Sequence, residues 1–194
     1  METRSEPLKM PDRFDDAVVG AGIMGLAHAY HLARRGRRVV VFERGAKAVG
    51  ASVRNFGMIW PIGQPAGEAH ALALRSAAIW RDVLRDARLW HAPVGSLHLA
   101  YRDDEAQVLR EFAETADANG FGGVTLLSPG EAERLSPALQ PRNLQAALFS
   151  EAEINVDPRQ VVADLPAYLE RAYGVRFAFD TVVTGYDRPM ARTN

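Results

Sequence analysis

The stretch GAGIMG at residues 20–25 follows an apolar run at residues 17–19 and precedes a helical pattern that extends to Arg35. A second apolar run, at residues 39–42, ends at the acidic residue Glu43. The order strand, glycine turn, helix, strand and acid is typical of a βαβ unit that binds a dinucleotide. This stretch therefore predicts an α/β fold and a class of ligand.

Each residue type in the turn has a physical role in holding a pyrophosphate. Gly20 permits the tight turn, Gly22 lacks a Cβ that would keep the phosphate away, and Gly25 allows the helix to pack closely on the strands. The N-terminus of the helix, at Ile23 and Met24, offers N–H groups and the positive end of the helix dipole. Together these groups form a site for an anion.

The acid at the end of the second strand narrows the choice of dinucleotide. The carboxylate of Glu43 can accept hydrogen bonds from the hydroxyls of an adenosine ribose. It would repel a 2′-phosphate, which argues against NADP. The βαβ unit by itself leaves FAD and NAD open.

The composition is that of an ordinary globular chain of 194 residues, 47% of them hydrophobic, with a net charge of −1. This charge gives no general attraction to nucleic acid or to an acidic membrane surface. The chain has no cysteine, which excludes disulfides and a flavin link through its own thiol. No apolar run reaches the roughly 20 residues that a membrane helix needs. We therefore expect a cytoplasmic protein without a nucleic-acid partner or membrane segment.

Beyond the βαβ unit, the chain alternates predicted helices with short strands. Residues 44–66 form a long loop rich in Gly and Pro, and such a loop inside a compact domain is usually functional. We expect residues 1–13 to be a disordered extension and residues 188–194 to be an unstructured tail. The further predicted helices cover residues 67–89, 103–119 and 157–173, with a short one after the capping box at 128–131, and the strands cover 95–101, 124–127, 146–149 and 175–185.

With these features the chain resembles the FAD-binding oxidoreductases of the glycine/D-amino acid oxidase (DAO) superfamily. Gly20, Gly22, Gly25 and Glu43 are separated as in that family. The run GASVRNFG at residues 50–57 is similar to the family's second flavin-contacting segment. There a small polar residue, an asparagine and a glycine lie along the pyrophosphate, the ribityl chain and the isoalloxazine ring. The resemblance implies FAD as the cofactor.

The resemblance also implies a set of cofactor contacts. Arg54 can bind the pyrophosphate or an anionic substrate bidentately, or it can be a solvated loop arginine. Ser52 and Asn55 can donate to flavin or phosphate, or cap local turns, and the length of the loop favours the flavin role. The sequence assigns no catalytic residue. The residues expected at the cofactor are Gly20, Gly22, Ile23, Met24, Gly25, Glu43, Arg44, Ser52, Arg54, Asn55 and Gly57.

The fold implied by the resemblance is a Rossmann-like FAD-binding domain with part of an α+β substrate domain. The FAD-binding domain would comprise residues 14–90 and 156–187, and the substrate domain residues 91–155. Family members continue for about as long again after the strand at residues 182–184. We therefore expect this chain to be the N-terminal portion of such an enzyme, which leaves the activity of the truncated chain open.

The reaction implied by the resemblance is oxidation of the C–N bond of a small amine, with hydride transfer from carbon to flavin N5. No protein base is required if the amine arrives neutral. Two alternatives stay open. One is an NAD-dependent dehydrogenase, which would share the βαβ unit but lack the stretch at residues 52–57. The other is a truncated, non-catalytic nucleotide-binding fragment. The expected partner is a small amine substrate, and a homo-oligomer is left open.

The run RNFGMIWPIGQP at residues 54–65 is similar to a subgroup associated with aminophosphonate breakdown, so aminophosphonates join amino acids as candidate substrates. Trp60 in this run can line a substrate pocket, although a core position is commoner. His98 can face a substrate, although a structural role is favoured. His28 and His31 share one helix face, but no Cys or carboxylate joins them, so we expect no metal site.

Overall fold

A computed structural model describes residues 13–187 and 190–193, and these residues form helices and short strands. The extension predicted for residues 1–13 lies, apart from Arg13, outside the described residues. The helices are α1 (Ile23–Ala33), α2 (Glu68–Ala87), α3 (Asp103–Thr115), α4 (Pro129–Leu135) and α5 (Pro158–Tyr173). The strands are β1 (Asp16–Val19), β2 (Val39–Phe42), β3 (Met58–Ile59), β4 (His91–Ala92), β5 (Ser96–Ala100), β6 (Val124–Leu127), β7 (Ala146–Ser150), β8 (Ile154–Val156), β9 (Arg176–Ala178), β10 (Val183–Asp187) and β11 (Met190–Thr193).

The chain divides into two compact units. The first unit contains the chain up to Phe56 and from Asp157 onward, and the second unit contains Gly57–Val156. The predicted α/β class is confirmed, because a parallel sheet with a helical crossover is joined to antiparallel sheets and helices. Within the described part of the chain, no helix has the length and apolar character needed to cross a membrane.

The first unit is built on a parallel sheet with the strand order β1-β2-β9. Its central strand, β2, is the apolar run VVVF and is buried at every position, as expected for a parallel strand covered on both faces. Helix α1 connects β1 to β2, and α5 leads into β9. Tyr30 of α1 meets Tyr173 of α5 edge to face, with ring centroids 5.6 Å apart. This sheet brings the end of β1 beside the end of β2.

The second unit contains two antiparallel sheets, with strand orders β3-β8-β4 and β5-β7-β6. Successive side chains of β5 point to opposite faces. Leu97 and Leu99 pack against a cluster that includes Ala132 of α4. Ala100 packs with Ala106 of α3 on the other face. Ser96 and His98 therefore share the face of Ala100, and they belong to the site discussed below.

The structure differs from the sequence prediction in two places near the C-terminus. The strand predicted for residues 175–185 is broken, because the chain turns at residues 179–182 between β9 and β10. The unstructured tail predicted for residues 188–194 is wrong for Met190–Thr193, which pair antiparallel with β10. The physical reason is that the backbone N–H and C=O groups of β10 need hydrogen-bonding partners, and the backbone of the tail supplies them. The polar sequence of the tail has no pattern that predicts this pairing. Residues 188, 189 and 194 lie outside the described residues.

The division into units also differs from the boundary predicted near residue 90. Contacts group residues 57–90 with the second unit. The reason is the small sheet in which β3, before α2, and β4, after α2, both pair with β8. The assignment of the units as FAD-binding and substrate domains stays a prediction.

Helix α5 provides a test of how local sequence stabilises the first unit. The side chain of Asp157 accepts the N–H groups of Arg159 and Gln160, at 2.9 and 3.2 Å. We expect Asp157→Ala to lower the free energy of unfolding by about 1 kcal/mol, because two helix N–H groups lose their acceptor. Asp164→Ala, at an exposed position in the same helix, should change it by less than about 0.5 kcal/mol. Urea unfolding measures both, and equal losses would contradict the capping role.

Candidate functional site

The turn between β1 and α1 depends on two glycines that touch. Gly20 has a φ of +99°, a left-handed conformation that favours glycine. Its N–H donates to the carbonyl of Phe42 at 2.7 Å, which fixes the end of β1 to the end of β2. A Cβ on Gly25 would lie 1.9 Å from the carbonyl oxygen of Gly20. The absence of a side chain at residue 25 therefore allows α1 to begin directly against the strand.

The first turn of α1 presents backbone donors. The first bond within the helix runs from the N–H of Leu26 to the carbonyl of Gly22, at 3.0 Å. The N–H groups of Ile23, Met24 and Gly25 precede it and have no acceptor inside the helix. The N–H of Ile23 donates to Ser52 Oγ at 3.0 Å. No acidic residue lies in this first turn, so the helix itself adds no negative charge there.

Glu43 joins this turn to the end of the second strand. Glu43 is 9% exposed. Its Oε2 accepts the N–H of Ala21 at 2.9 Å, and its Oε1 accepts the N–H of Gly45 at 3.1 Å. Each carboxylate oxygen has a second lone pair, so the group can still accept hydroxyl hydrogens from a ligand. The carboxylate is thereby held beside the glycine turn.

The loop that contains Ser52 includes a short 3-10 turn, Ala51–Val53. A Cβ on Gly22 would lie 3.2 Å from Ser52 Oγ, so the loop is close to the glycine turn. The side-chain amide of Asn55 donates to the carbonyl of Ser52 at 2.8 Å, which is a local turn contact. The side chain of Arg54 is exposed. Of this loop, the structure brings Ser52 to the predicted site.

Two further residues that the sequence predicts at the cofactor take no part in the hydrogen bonds of the glycine turn. Arg44 follows Glu43 and has an exposed side chain. Gly57 is buried and belongs to the second unit, where its carbonyl accepts the N–H of Val156 at 2.7 Å. The hydrogen bonds and close contacts described above thus link Gly20, Gly22, Ile23, Gly25, Glu43 and Ser52, and the cofactor roles of all the predicted residues stay predictions.

The structure also shows residues that the sequence prediction missed. Thr181 donates its N–H to the carbonyl of Glu43 at 2.9 Å, and Asp180 donates its N–H to the carbonyl of Gly45 at 3.1 Å. These contacts join the loop after β9 to the loop after β2. They use backbone groups more than 130 positions apart, so no local sequence signal could have identified them.

The site fits the diphosphate of a dinucleotide. Gly22 provides a backbone without a side chain and the start of α1 provides N–H donors for the diphosphate, and Glu43 provides a buried acceptor for hydroxyl groups. A negatively charged group is stabilised at a helix N-terminus by these donors and by the helix dipole. The residues that would hold the group are those of the turn, together with Ser52.

The close contact between Gly25 and Gly20 leads to a test of the turn. Gly25→Ala should lower the free energy of unfolding by about 3 kcal/mol, because the added methyl group meets backbone that cannot move away cheaply. Gly50→Ala is the matched control, since a Cβ there has nothing within 4 Å. Thermal and urea unfolding compare the two variants. A Gly25→Ala chain as stable as the Gly50→Ala chain would contradict the close packing of α1.

Comparisons with known proteins support the family resemblance. The chain is 29% identical over 174 residues to the glycine oxidase of Geobacillus kaustophilus, covering 85% of this chain and 45% of that protein. It is 34% identical over 159 residues to a putative thiamine biosynthesis oxidoreductase, ThiO, of Rhizobium etli, covering 80% of this chain and 46% of that protein. The chain therefore spans about half the length of the curated relatives that it matches.

Solved structures agree with this result. The crystal structure of the Geobacillus kaustophilus glycine oxidase superposes with a TM-score of 0.80 at 27% identity, over 93% of this chain and 51% of that one. The L-proline dehydrogenase of P. horikoshii gives a TM-score of 0.77 at 26% identity, over 92% and 48% of the two chains. The sequence model of the FAD dependent oxidoreductase family, DAO, matches residues 15–193. This match confirms the predicted resemblance, and the chain belongs to the DAO family of FAD-dependent oxidoreductases.

Proposed function

We propose that this chain binds FAD and forms part of an enzyme that oxidises the C–N bond of a small amine. The observation that carries the proposal is the start of α1, where N–H donors, a side-chain-free backbone at Gly22 and the buried Glu43 lie together. Family membership supplies the choice of FAD over NAD. In this proposal the first unit holds FAD and the second unit holds the substrate.

The residues of the first unit have distinct tasks in this proposal. The N–H groups of Met24 and Gly25 bind the FAD diphosphate, and the dipole of α1 favours its negative charge. Glu43 accepts hydrogen bonds from the ribose hydroxyls while it keeps its bonds to Ala21 and Gly45. Ser52 holds the second loop at the start of α1. The bound flavin supplies the electron acceptor for the oxidation.

The substrate class is a finer part of the proposal. The relatives described above include a glycine oxidase and an L-proline dehydrogenase, and both names refer to small amino acids. This supports a small amino acid as the substrate. The run at residues 54–65, with the exposed Arg54, also keeps an aminophosphonate as a candidate, since a guanidinium can bind a carboxylate or a phosphonate bidentately.

The proposal is tested by mixing the purified chain with FAD and, separately, with NAD. After removal of free nucleotide, we expect the visible absorption of flavin to remain with the protein, because the site is built for a dinucleotide diphosphate and the family uses FAD. Retention of NAD without FAD would favour the dehydrogenase alternative. Retention of neither nucleotide would contradict the proposed cofactor site.

Glu43 provides a sharper test of the same site. Glu43→Gln keeps the side-chain shape but has one acceptor oxygen where the native residue offers two to the N–H groups of Ala21 and Gly45. We expect FAD affinity, measured by quenching of flavin fluorescence, to fall about 10-fold, which corresponds to one charge-assisted hydrogen bond. The matched control is Glu170→Ala, an exposed glutamate in α5 of the same unit. An unchanged affinity in Glu43→Gln would contradict the role of the carboxylate.

A further inference from the structure

A second buried carboxylate lies in the second unit, outside the nucleotide site. Glu153 is 0% exposed and sits between β7 and β8. Its Oε1 accepts the N–H of Ile62 at 3.1 Å, and its Oε2 accepts the hydroxyl of Ser96 at 3.1 Å. Both donors are neutral, so these hydrogen bonds satisfy the carboxylate without cancelling its charge.

The hydrogen bond from Ser96 determines which nitrogen of His98 carries a proton. A serine hydroxyl has one proton, and that of Ser96 is donated to Glu153. Ser96 Oγ lies 3.1 Å from His98 Nε2 and can then act only as an acceptor in that contact. On this geometry we assign the proton of the neutral His98 ring to Nε2. In the neutral ring this leaves a lone pair on Nδ1.

The neutral ring is the form expected near neutral pH. Burial lowers the pKa of His98 below its ordinary value of 6.5, and the nearby charge of Glu153 opposes this shift to a smaller extent. Within residues 13–187 and 190–193, the structure places no hydrogen bond on Nδ1. His98 thus offers an acceptor that its neighbours leave available.

The imidazole ring of His98 is held in place by a neighbouring aromatic ring as well as by its hydrogen bond. Trp60 stacks near His98, with ring centroids 6.1 Å apart and planes inclined by 18°. Trp60 is itself fixed against Gly63, where a Cβ would lie 2.5 Å from the indole Cε3. Trp60 is still 41% exposed, and His98 is half-buried, so neither residue is closed off from solvent.

We propose that His98 Nδ1 is a hydrogen-bond acceptor for the amino group of the amine substrate, with Ser96 and Glu153 as positioning residues. This inference rests on the proposed function, which places the substrate in the second unit. The ligand class follows from the chemistry of the cluster. Nδ1 needs a donor such as an amine N–H, the carboxylate of Glu153 favours a positive charge nearby, and the exposed indole attracts cations within about 6 Å.

The tautomer of His98 is the first test, because it requires neither FAD nor activity. Long-range ¹H–¹⁵N NMR correlations of the ¹⁵N-labelled chain identify the protonated ring nitrogen. His91 is an internal control, since its Nδ1 lies 2.9 Å from the carbonyl of Leu89 and must donate to it. We expect Nε2–H for His98 and Nδ1–H for His91. The Nδ1–H form at His98, or a mixture of forms, would overturn the proposal.

The second test adds amines to the same sample. Titration with glycine or with aminomethylphosphonate should shift the Nδ1 resonance of His98 and leave that of His91 in place. Acetate and methylphosphonate, which lack the amino group, should have no effect. The shift should disappear as the pH falls below the pKa of His98, because the proton then occupies the lone pair. No shift with either amine, or equal shifts with the amine-free anions, would overturn the proposal.

Variants of Ser96 and Trp60 show whether these residues position the ring of His98 or only stabilise the fold. Ser96→Ala should abolish the single tautomer and the amine-induced shift, whereas Ser96→Thr keeps the hydroxyl and should retain both. Trp60→Phe should weaken the amine-induced shift. Its matched control is Trp90→Phe, at another exposed tryptophan of the second unit, which should leave the shift unchanged. Retention of flavin by the same samples is scored separately. FAD binding without an amine response overturns only the role of His98, and an amine response without FAD binding overturns only the proposed cofactor.

Discussion

The contact between Gly20 and Gly25 is the constraint on which the first unit depends. With no Cβ at residue 25, the helix α1 can begin against the carbonyl of Gly20. The start of α1 then stands at the carboxyl end of β1, next to the end of β2. This is where a parallel α/β sheet binds its ligand, since helix N–H groups and strand ends meet there. The packing of these two glycines thus sets where α1 begins, which is where we propose that the nucleotide binds.

Glu43 connects packing to chemistry. Its backbone N–H donates to the carbonyl of Ala178 at 2.9 Å, so it continues the pairing of β2 with β9. Its side chain turns back to Ala21 and closes the glycine turn. A buried carboxylate costs free energy unless its oxygens are hydrogen-bonded, and two backbone donors supply those bonds here. The same residue therefore stabilises the turn and provides the acceptor proposed for the ribose.

Local signals were sufficient for the βαβ unit and for the capped helices. The glycine spacing, the apolar run of β2 and the capping box at Ser128 each depend on neighbouring residues, so the sequence displays them directly. The contacts of Thr181 and Glu153 depend on residues far away in the chain. The pairing of Met190–Thr193 with β10 is likewise made by backbone groups, and the sequence of these residues does not follow a β pattern. Such long-range bonds could not have been predicted from one sequence, which is why the sequence favoured a structural role for His98 over a contact with substrate.

We propose that the start of α1 and Glu43 together hold the nucleotide of FAD. The most direct measurement is a crystal structure of the chain grown with FAD. We expect diphosphate oxygens within hydrogen-bonding distance of the N–H groups of Met24 or Gly25, and ribose hydroxyls on the carboxylate of Glu43. A bound FAD whose diphosphate lies away from this turn, or whose ribose does not touch Glu43, would contradict this role of α1 and Glu43.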